Sequence, residues 1–504
     1  MTISAYSTGA WRSADALARA AMVRRGLVMA GLGAITVGYA AAVVATEGSP
    51  YFVLPFVGAL AGLVLLVWPR LGLYALFAAA LLLEEWGIAG LEPITGQLHF
   101  FQNVSGYSPI PLRLSAADLL VILTLVAWLL RRVVRANEPG RLGPVGWPIL
   151  AYGAFFGVGL GVGIARGGDW NLSAALAELR GPLYLCVTYL LTVNLVRDPR
   201  HVSILVRLLV VLIAVKAVQG VFNYIEMTNG PIWLEAVTAH EDVVFLDLLL
   251  ALAVGAFVLG LRSRFATALY LTTPIVIVTD LLTQRRVAFI AMAAAFVVLA
   301  VLLASAQPRR TLLLFGSAFA CFLVYAVIAW DQQGLLAQPI RALKGAIDPT
   351  SLNARDLSSN WWRELENANI AYTLKQVPLT GVGLGQQYLF LREPPELSNF
   401  VYWRYMTHDA VLWVWLKAGI AGFVAFWALV SQSAIVAASL FKRLATTEMK
   451  LLALVPVLLI TIQVVFSSVD LGLTYSRNMI VLGVMLGLTA YLRDQVRTSP
   501  AAVR

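Results

Sequence analysis

Charge is scarce in this chain. Of 504 residues, 13% are Asp, Glu, Lys or Arg, where a soluble protein carries roughly a quarter. Hydrophobic residues make up 60% and the mean hydropathy is +0.80. A soluble globule of this composition could not cover itself with polar surface, and neither a disordered nor a fibrous chain has it. Cysteine is nearly absent. Cys186 and Cys321 both fall in apolar runs, which excludes a disulfide framework or a thiolate metal site and suggests two core residues. Histidine occurs four times, at His99, His201, His240 and His408, with no metal-ligand spacing. There is no DxD motif, Walker loop, His-rich box or serine nucleophile elbow, and no internal repeat. The acidic residues Glu84, Glu85, Glu92, Glu178, Glu241 and Asp242 form no recognisable metal set. Chemistry is therefore expected from arginines and a histidine, with no metal and no cofactor.

Lysine is rare too, 6 against 31 arginines, yet the net charge is +10. In a soluble chain that balance would suggest nucleic acid. In an apolar one it marks the cytoplasmic ends of membrane helices, and no nucleic-acid partner is expected. A span needs about 20 mostly apolar residues. By that measure about fourteen are expected, near 26–46, 51–68, 71–90, 115–130, 147–165, 181–196, 203–223, 242–261, 266–284, 287–306, 311–330, 411–440, 451–469 and 476–492. The chain reads as an all-α polytopic membrane protein with both termini cytoplasmic. Every inside segment then carries Arg or Lys, from Arg24-Arg25 through Arg131-Arg132, Arg309-Arg310 and Lys442-Arg443 to Arg493. The one clear exception is Arg285-Arg286, on the outer side. Three regions are expected: helices 1–11 over 1–330, a large outer loop over 331–408, and helices 12–14 over 409–504. Loops this long usually carry function. Within it, Asn360 to Ile370 reads as an amphipathic helix ended by Pro378. A smaller outer loop, 91–113, holds His99 and three prolines.

Charge at membrane depth is costly and marks candidate sites. Arg180 sits in Glu178-Leu179-Arg180-Gly181-Pro182 and reads either as an anion ligand or as a snorkelling arginine paired with Glu178. Arg285-Arg286 suit a phosphate group, since guanidinium forks bind phosphate oxygens in bidentate fashion; the bland alternative is a shallow hairpin. Gly381-Val382-Gly383-Leu384-Gly385 could cradle a phosphate, but it opens no helix after a strand and reads as a tight turn. His408, where the long loop re-enters the membrane, is a candidate general base or a helix-capping residue.

These residues taken together resemble the O-antigen ligase and polymerase superfamily of bacterial envelope glycosyltransferases. The resemblance runs over about 170–440 and rests on order and spacing. Arg363 precedes Pro378, the Gly381–Gly385 turn follows, then His408-Asp409 and Gly419-Ile420-Ala421-Gly422. Upstream, Leu179-Arg180 and Thr283-Gln284-Arg285-Arg286-Val287 resemble further signatures, with Arg-Arg-Val where Ser-Arg-Gly is usual. Asn367 stands where an aromatic is usual.

The resemblance implies a metal-independent transfer on the outer face of the inner membrane. The donor would be a glycan on undecaprenyl diphosphate. The acceptor would be another lipid-linked glycan (polymerase) or a lipid A core (ligase). It casts His408, Arg286 and Arg180 as catalytic, the arginines holding the diphosphate and His408 serving as base. Arg363, Arg285, Gly383 and Gly385 fall among substrate-binding positions. The alternatives are a flippase of lipid-linked glycans that forms no bond, a lipid-monophosphate glycosyltransferase using Glu84-Glu85, and a scaffold.

Overall fold

The computed structural model describes residues 6–45, 53–87, 93–103, 113–134, 140–228, 237–332, 334–397 and 400–498. Among the described residues it is helical throughout, with one isolated bridge between Asn103 and Ser115 in place of any strand. The helices are α1 (Tyr6–Ala45), α2 (Val53–Val67), α3 (Pro69–Leu82), α4 (Ile94–Gln97), α5 (Ala116–Val134), α6 (Gly146–Arg166), α7 (Leu172–Leu195), α8 (Pro199–Thr228) and α9 (Asp242–Val258). They continue with α10 (Arg264–Leu282), α11 (Arg286–Ala304), α12 (Pro308–Ala329), α13 (Gln338–Ile347), α14 (Ala354–Gln376), α15 (Ala410–Arg443), α16 (Thr447–Ser467) and α17 (Ser476–Thr498). Glu92, Pro109 and Pro111 lie outside the described residues.

Each expected span coincides with a helix, but the count of fourteen is not what the helices support. Ten of those described are long and apolar enough to cross a membrane, or up to eleven if α2 and α3 are one bent span. The remainder fall short for identifiable reasons. Pro69 opens α3 where no backbone N–H is needed, and the chain bends by 117° there. α5 carries Asp118, Arg131 and Arg132. α9 has 17 residues, is mostly apolar and is buried almost throughout, Asp247 included, as a helix enclosed by other helices is.

α16 and α17 form the centre of the bundle and α12 lies at its lipid-facing edge. α17 packs closely on α7. Gly483 meets Thr188 and the Leu185 carbonyl, and Gly487 meets Thr192, small residues letting helix backbones approach where apolar burial alone gives no drive. Cys186 is buried in this core, but Cys321 is exposed on α12, contrary to expectation. The outward-facing apolar surface of α12 explains why both cysteines sit in apolar sequence.

The helix ends sort into two faces. On one, Arg70 donates from Nε to the Leu195 carbonyl at 2.9 Å, Arg131 reaches the Val67 carbonyl at 3.2 Å, and Arg141 pairs with Asp494 at 2.6 Å. The other face gathers the end of α3, the start of α5, the α8–α9, α10–α11 and α16–α17 connections, and the 331–408 segment with α13 and α14.

Candidate active site

The α10–α11 connection is built to present arginine. Thr283 caps α10 by bonding back to the Asp280 carbonyl at 2.6 Å, and Gln284 takes a positive φ of 53°. That is an uncommon conformation for a non-glycine residue. It turns the chain within three residues, so that Arg285 and Arg286 stand at the start of α11, where the helix dipole is positive. Above them is a cavity of ≈ 340 Å³. Five arginines line it: Arg285, Arg286, Arg341 from α13, and Arg355 and Arg363 from α14. Its acidic wall residues are Asp356 and Asp470, so positive charge is in excess.

Arg286 is aimed rather than loose. It donates to Asn360 Oδ1 at 3.0 Å and lies 3.6 Å from Asp356. Arg363 donates to Ser359 one turn earlier at 2.9 Å, while its buried Nε meets no acceptor among the described residues. A buried donor left unmade costs about 1–3 kcal/mol, which an anion in the cavity would recover.

His408 is held by a partner that the sequence reading does not single out. Glu366, fully buried on α14, accepts the His408 backbone N–H at 2.8 Å. Its carboxylate lies 3.3 Å from His408 Nδ1. Trp362 packs edge-on against the imidazole at 5.1 Å between ring centroids. With Nδ1 engaged, Nε2 is the nitrogen available to a substrate, and the side chain keeps 24% of its exposure. The capping role belongs to the next residue: Asp409 accepts the Leu412 N–H at 2.9 Å at the start of α15, and burial pushes its carboxyl above the ordinary range. α14 itself is anchored by Asn369, which takes the N–H groups of Leu391 and Arg392 at 2.8 and 3.0 Å.

Asp470, in the α16–α17 connection, is part of the cavity wall. Its Oδ1 accepts from Tyr475 at 3.0 Å and from the Leu471 N–H at 2.7 Å. Its Oδ2 lies 3.5 Å from His240 Nδ1. Burial would raise this carboxyl, but the hydrogen bond and charge of His240, with the charges of His408 and Arg285, hold it well below the usual range.

The glycine-rich turn does something other than cradle phosphate. Gly419 leaves helical geometry inside α15 (φ 71°, ψ −178°). Ile420 N–H then bonds to the Leu379 carbonyl at 3.1 Å, and the Leu416 carbonyl accepts from Val382 at 2.7 Å. Leu384 N–H goes to the Gly159 carbonyl at 3.0 Å and Gly385 N–H to Glu178 Oε2 at 2.6 Å. Gly381, Gly383 and Gly385 all have positive φ, and a Cβ on any of them would strike protein atoms. The turn thus splices the break in α15 to α6 and α7. The amides of Val382, Leu384 and Gly385 are consumed by protein, and Gly383 and Gly385 pack against α6 and the start of α7.

Arg180 also stands apart from the cavity. Its guanidinium bonds Asp118 (Nε at 3.0 Å), Asn103 (2.7 Å) and the Arg113 carbonyl (3.1 Å). The partner expected for it, Glu178, instead pairs with Lys417 at 2.8 Å, both wholly buried. The other described acids of this set are likewise engaged. Glu84 pairs with Lys216, and Arg477 bridges Glu241 and Asp242 at 2.7 and 2.5 Å. Glu85 takes the N–H and hydroxyl of Ser476, each at 2.7 Å.

The structure therefore gathers Arg285, Arg286 and Arg363 at the cavity with Arg341, Arg355 and Asp470, and holds His408 on Glu366, one turn along α14 from Arg363, and His240 on Asp470. A signal for some of these exists in the sequence. Arg355, Ser359 and Arg363 recur every four residues, and Glu366 follows Arg363 by three, so all share one side of a helix. Nothing local points to Asp470 or Arg341.

Residues 271–427 match the family model described as O-antigen ligase. This stretch runs from within α10 through the arginine turn, α13, α14, the glycine turn and His408 to the middle of α15. No curated protein matches the chain.

Proposed function

We propose, from the premise that residues 271–427 place this multi-pass membrane protein in the O-antigen ligase family, that it transfers a glycan from undecaprenyl diphosphate to an acceptor hydroxyl. The transfer occurs on the outer face of the bacterial inner membrane, with both termini in the cytoplasm. The acceptor is a second lipid-linked glycan in a polymerase or a lipid A core in a ligase. The observation that carries this reading is that α14 holds both Arg363, in the wall of the arginine-lined cavity, and Glu366, bonded to His408.

In this mechanism Glu366 holds Nδ1 of His408, and Nε2 removes the acceptor hydroxyl proton as that oxygen attacks the anomeric carbon. The bond from that carbon to the diphosphate breaks, and its electrons leave on the diphosphate oxygen. Arg285, Arg286 and Arg363 stabilise the developing charge beside a low-dielectric wall, a task that fixed donors perform without reorganisation. Arg341 and Arg355 add to the same field. Direct displacement inverts the anomeric centre. Arg180, through Asp118, braces the outer ends of α5 and α7 beside the site.

The test is an envelope-glycan gel from cells with and without the gene, paired with mass analysis of the undecaprenyl-linked pool. Single repeat units in place of long chains identify a polymerase. Long chains stranded on the carrier beside a bare acceptor identify a ligase. An unchanged pattern and pool, with no second copy of the gene, overturns the transfer reading in favour of a flippase. Activity of the purified protein is expected to survive EDTA; loss that Mg²⁺ restores would remove the metal-independent mechanism.

A further inference from the structure

Two histidines at this face, not one, are held by buried carboxylates. His240 lies in the α8–α9 connection, and its Nδ1 is 3.5 Å from Asp470 Oδ2. Asp470 is fixed from its other oxygen by Tyr475 and Leu471 and forms part of the wall of the arginine cavity. The His240 side chain keeps 47% of its exposure while that of Asp470 keeps 8%. The imidazole is therefore anchored on its Nδ1 side and keeps surface open to a ligand. The resemblance-based reading gives this residue no task.

We infer that His240, oriented by Asp470, is a second proton-transferring residue of the site: the acid that donates from Nε2 to the oxygen on which the diphosphate leaves. The inference rests on the transfer reading above. Its proton balance is complete. The acceptor proton passes to His408 Nε2, the bond from the anomeric carbon to the diphosphate oxygen breaks with its electrons on oxygen, and that oxygen takes the proton of His240 Nε2. Solvent then reprotonates His240 and relieves His408 of its proton.

Both imidazoles carry a carboxylate on Nδ1, Glu366 at 3.3 Å for His408 and Asp470 at 3.5 Å for His240, but only Asp470 is part of the wall of the arginine cavity. An ionised carboxylate against Nδ1 stabilises imidazolium, and Asp470 is kept ionised by His240, His408 and Arg285 together. The other groups nearby are committed elsewhere. Glu241, next in the chain, bonds Arg477 at 2.7 Å, and Tyr475 bonds Asp470. Arg285 from the α10–α11 turn and His408 from the start of α15 act on Asp470 and oppose a second positive charge. An anionic diphosphate in the cavity offsets the repulsion among these positive groups. A base and an acid placed on one bond-breaking event yield a bell-shaped pH profile.

The experiment uses the purified full-length protein with lipid-linked glycan donor and acceptor. It follows release of undecaprenyl diphosphate across about pH 5 to 9, the range in which imidazoles titrate. Wild type is expected to show two limbs. His240→Gln should lower kcat/KM on the order of 10²-fold at neutral pH, abolish the alkaline limb and keep the acid limb set by His408. Asp470→Asn should move the alkaline limb to lower pH. Inorganic pyrophosphate should still inhibit both variants, which reports an intact arginine cavity. Full activity of His240→Gln overturns the inference, as does a reduced rate whose pH profile keeps the wild-type shape. Wild-type protein that releases no undecaprenyl diphosphate at any pH fails at the earlier step, taking the transfer reading and this inference together.

Discussion

Glu366 shows how one residue sets the task of another. Its carboxylate takes both the backbone N–H and Nδ1 of His408, so the imidazole cannot swing to cap α15 and must offer Nε2. Glu366→Gln should leave the protein folded and lower turnover on the order of 10²-fold, with KM for the donor little changed; wild-type turnover would remove the positioning role. Arg286 can be tested by its geometry. Arg286→Lys keeps the charge and loses the planar fork, so transfer should fall by about 10- to 100-fold, the value of a charge-assisted hydrogen bond. Retained activity would exclude bidentate phosphate binding there. Glu85 tests burial. Enclosure and the nearby Glu241 push its carboxyl up to about 7, against the opposing hydrogen bonds from Ser476. A group raised in the folded state stabilises below its unfolded value, near 4.5, and that contribution is lost as pH rises through about 7. Glu85→Gln should therefore flatten the decline in thermal stability between about pH 5 and 7; an unaltered slope would contradict it.

At the scale of the element, the glycine motif and the kink in α15 are one structure. Gly419 occupies a region of φ/ψ that is essentially closed to other residues, so Gly419→Ala should cost about 1–3 kcal/mol from strain alone. It should also release the Val382 and Ile420 hydrogen bonds that join loop to helix. Proteolysis within 377–386 measured alongside melting would detect this, and an undisturbed loop would refute the splice. Beneath the turn, Lys417 and Glu178 are wholly buried, with Lys417 also donating to the Gln386 carbonyl at 2.5 Å. Removing one partner of such a pair strands a charge, at about 3–5 kcal/mol. Lys417→Met should therefore destabilise far more than Lys417→Met combined with Glu178→Gln. The tight turn was legible from glycine spacing. Its partners were not, because Gly159, Gly163 and Glu178 lie more than two hundred residues away in sequence.

At the scale of the molecule, the two-faced arrangement of helix ends can be probed directly. In a background lacking Cys186 and Cys321, Thr350→Cys should react with a membrane-impermeant maleimide from outside intact spheroplasts. Arg309→Cys should react only after permeabilisation. The reverse pattern would invert the orientation that the arginine distribution suggests.

Local composition alone determined that this is a helical membrane protein, because the cost of burying an unpaired backbone or a charge in lipid is felt residue by residue. It located every apolar helix, the long polar segment, and four of the side chains that meet at the site. Only the tertiary structure showed that α9 is enclosed almost throughout and that α2 and α3 meet at a sharp bend. It also decided what each charge meets. Arg180 and Arg286 look equivalent as intramembrane arginines, yet one is bonded to Asp118 and the other lines the cavity. The physical reason is that a charge finds its partner through space, across α5 and α7 or across α11 and α14, and hydropathy along the chain carries no record of those encounters.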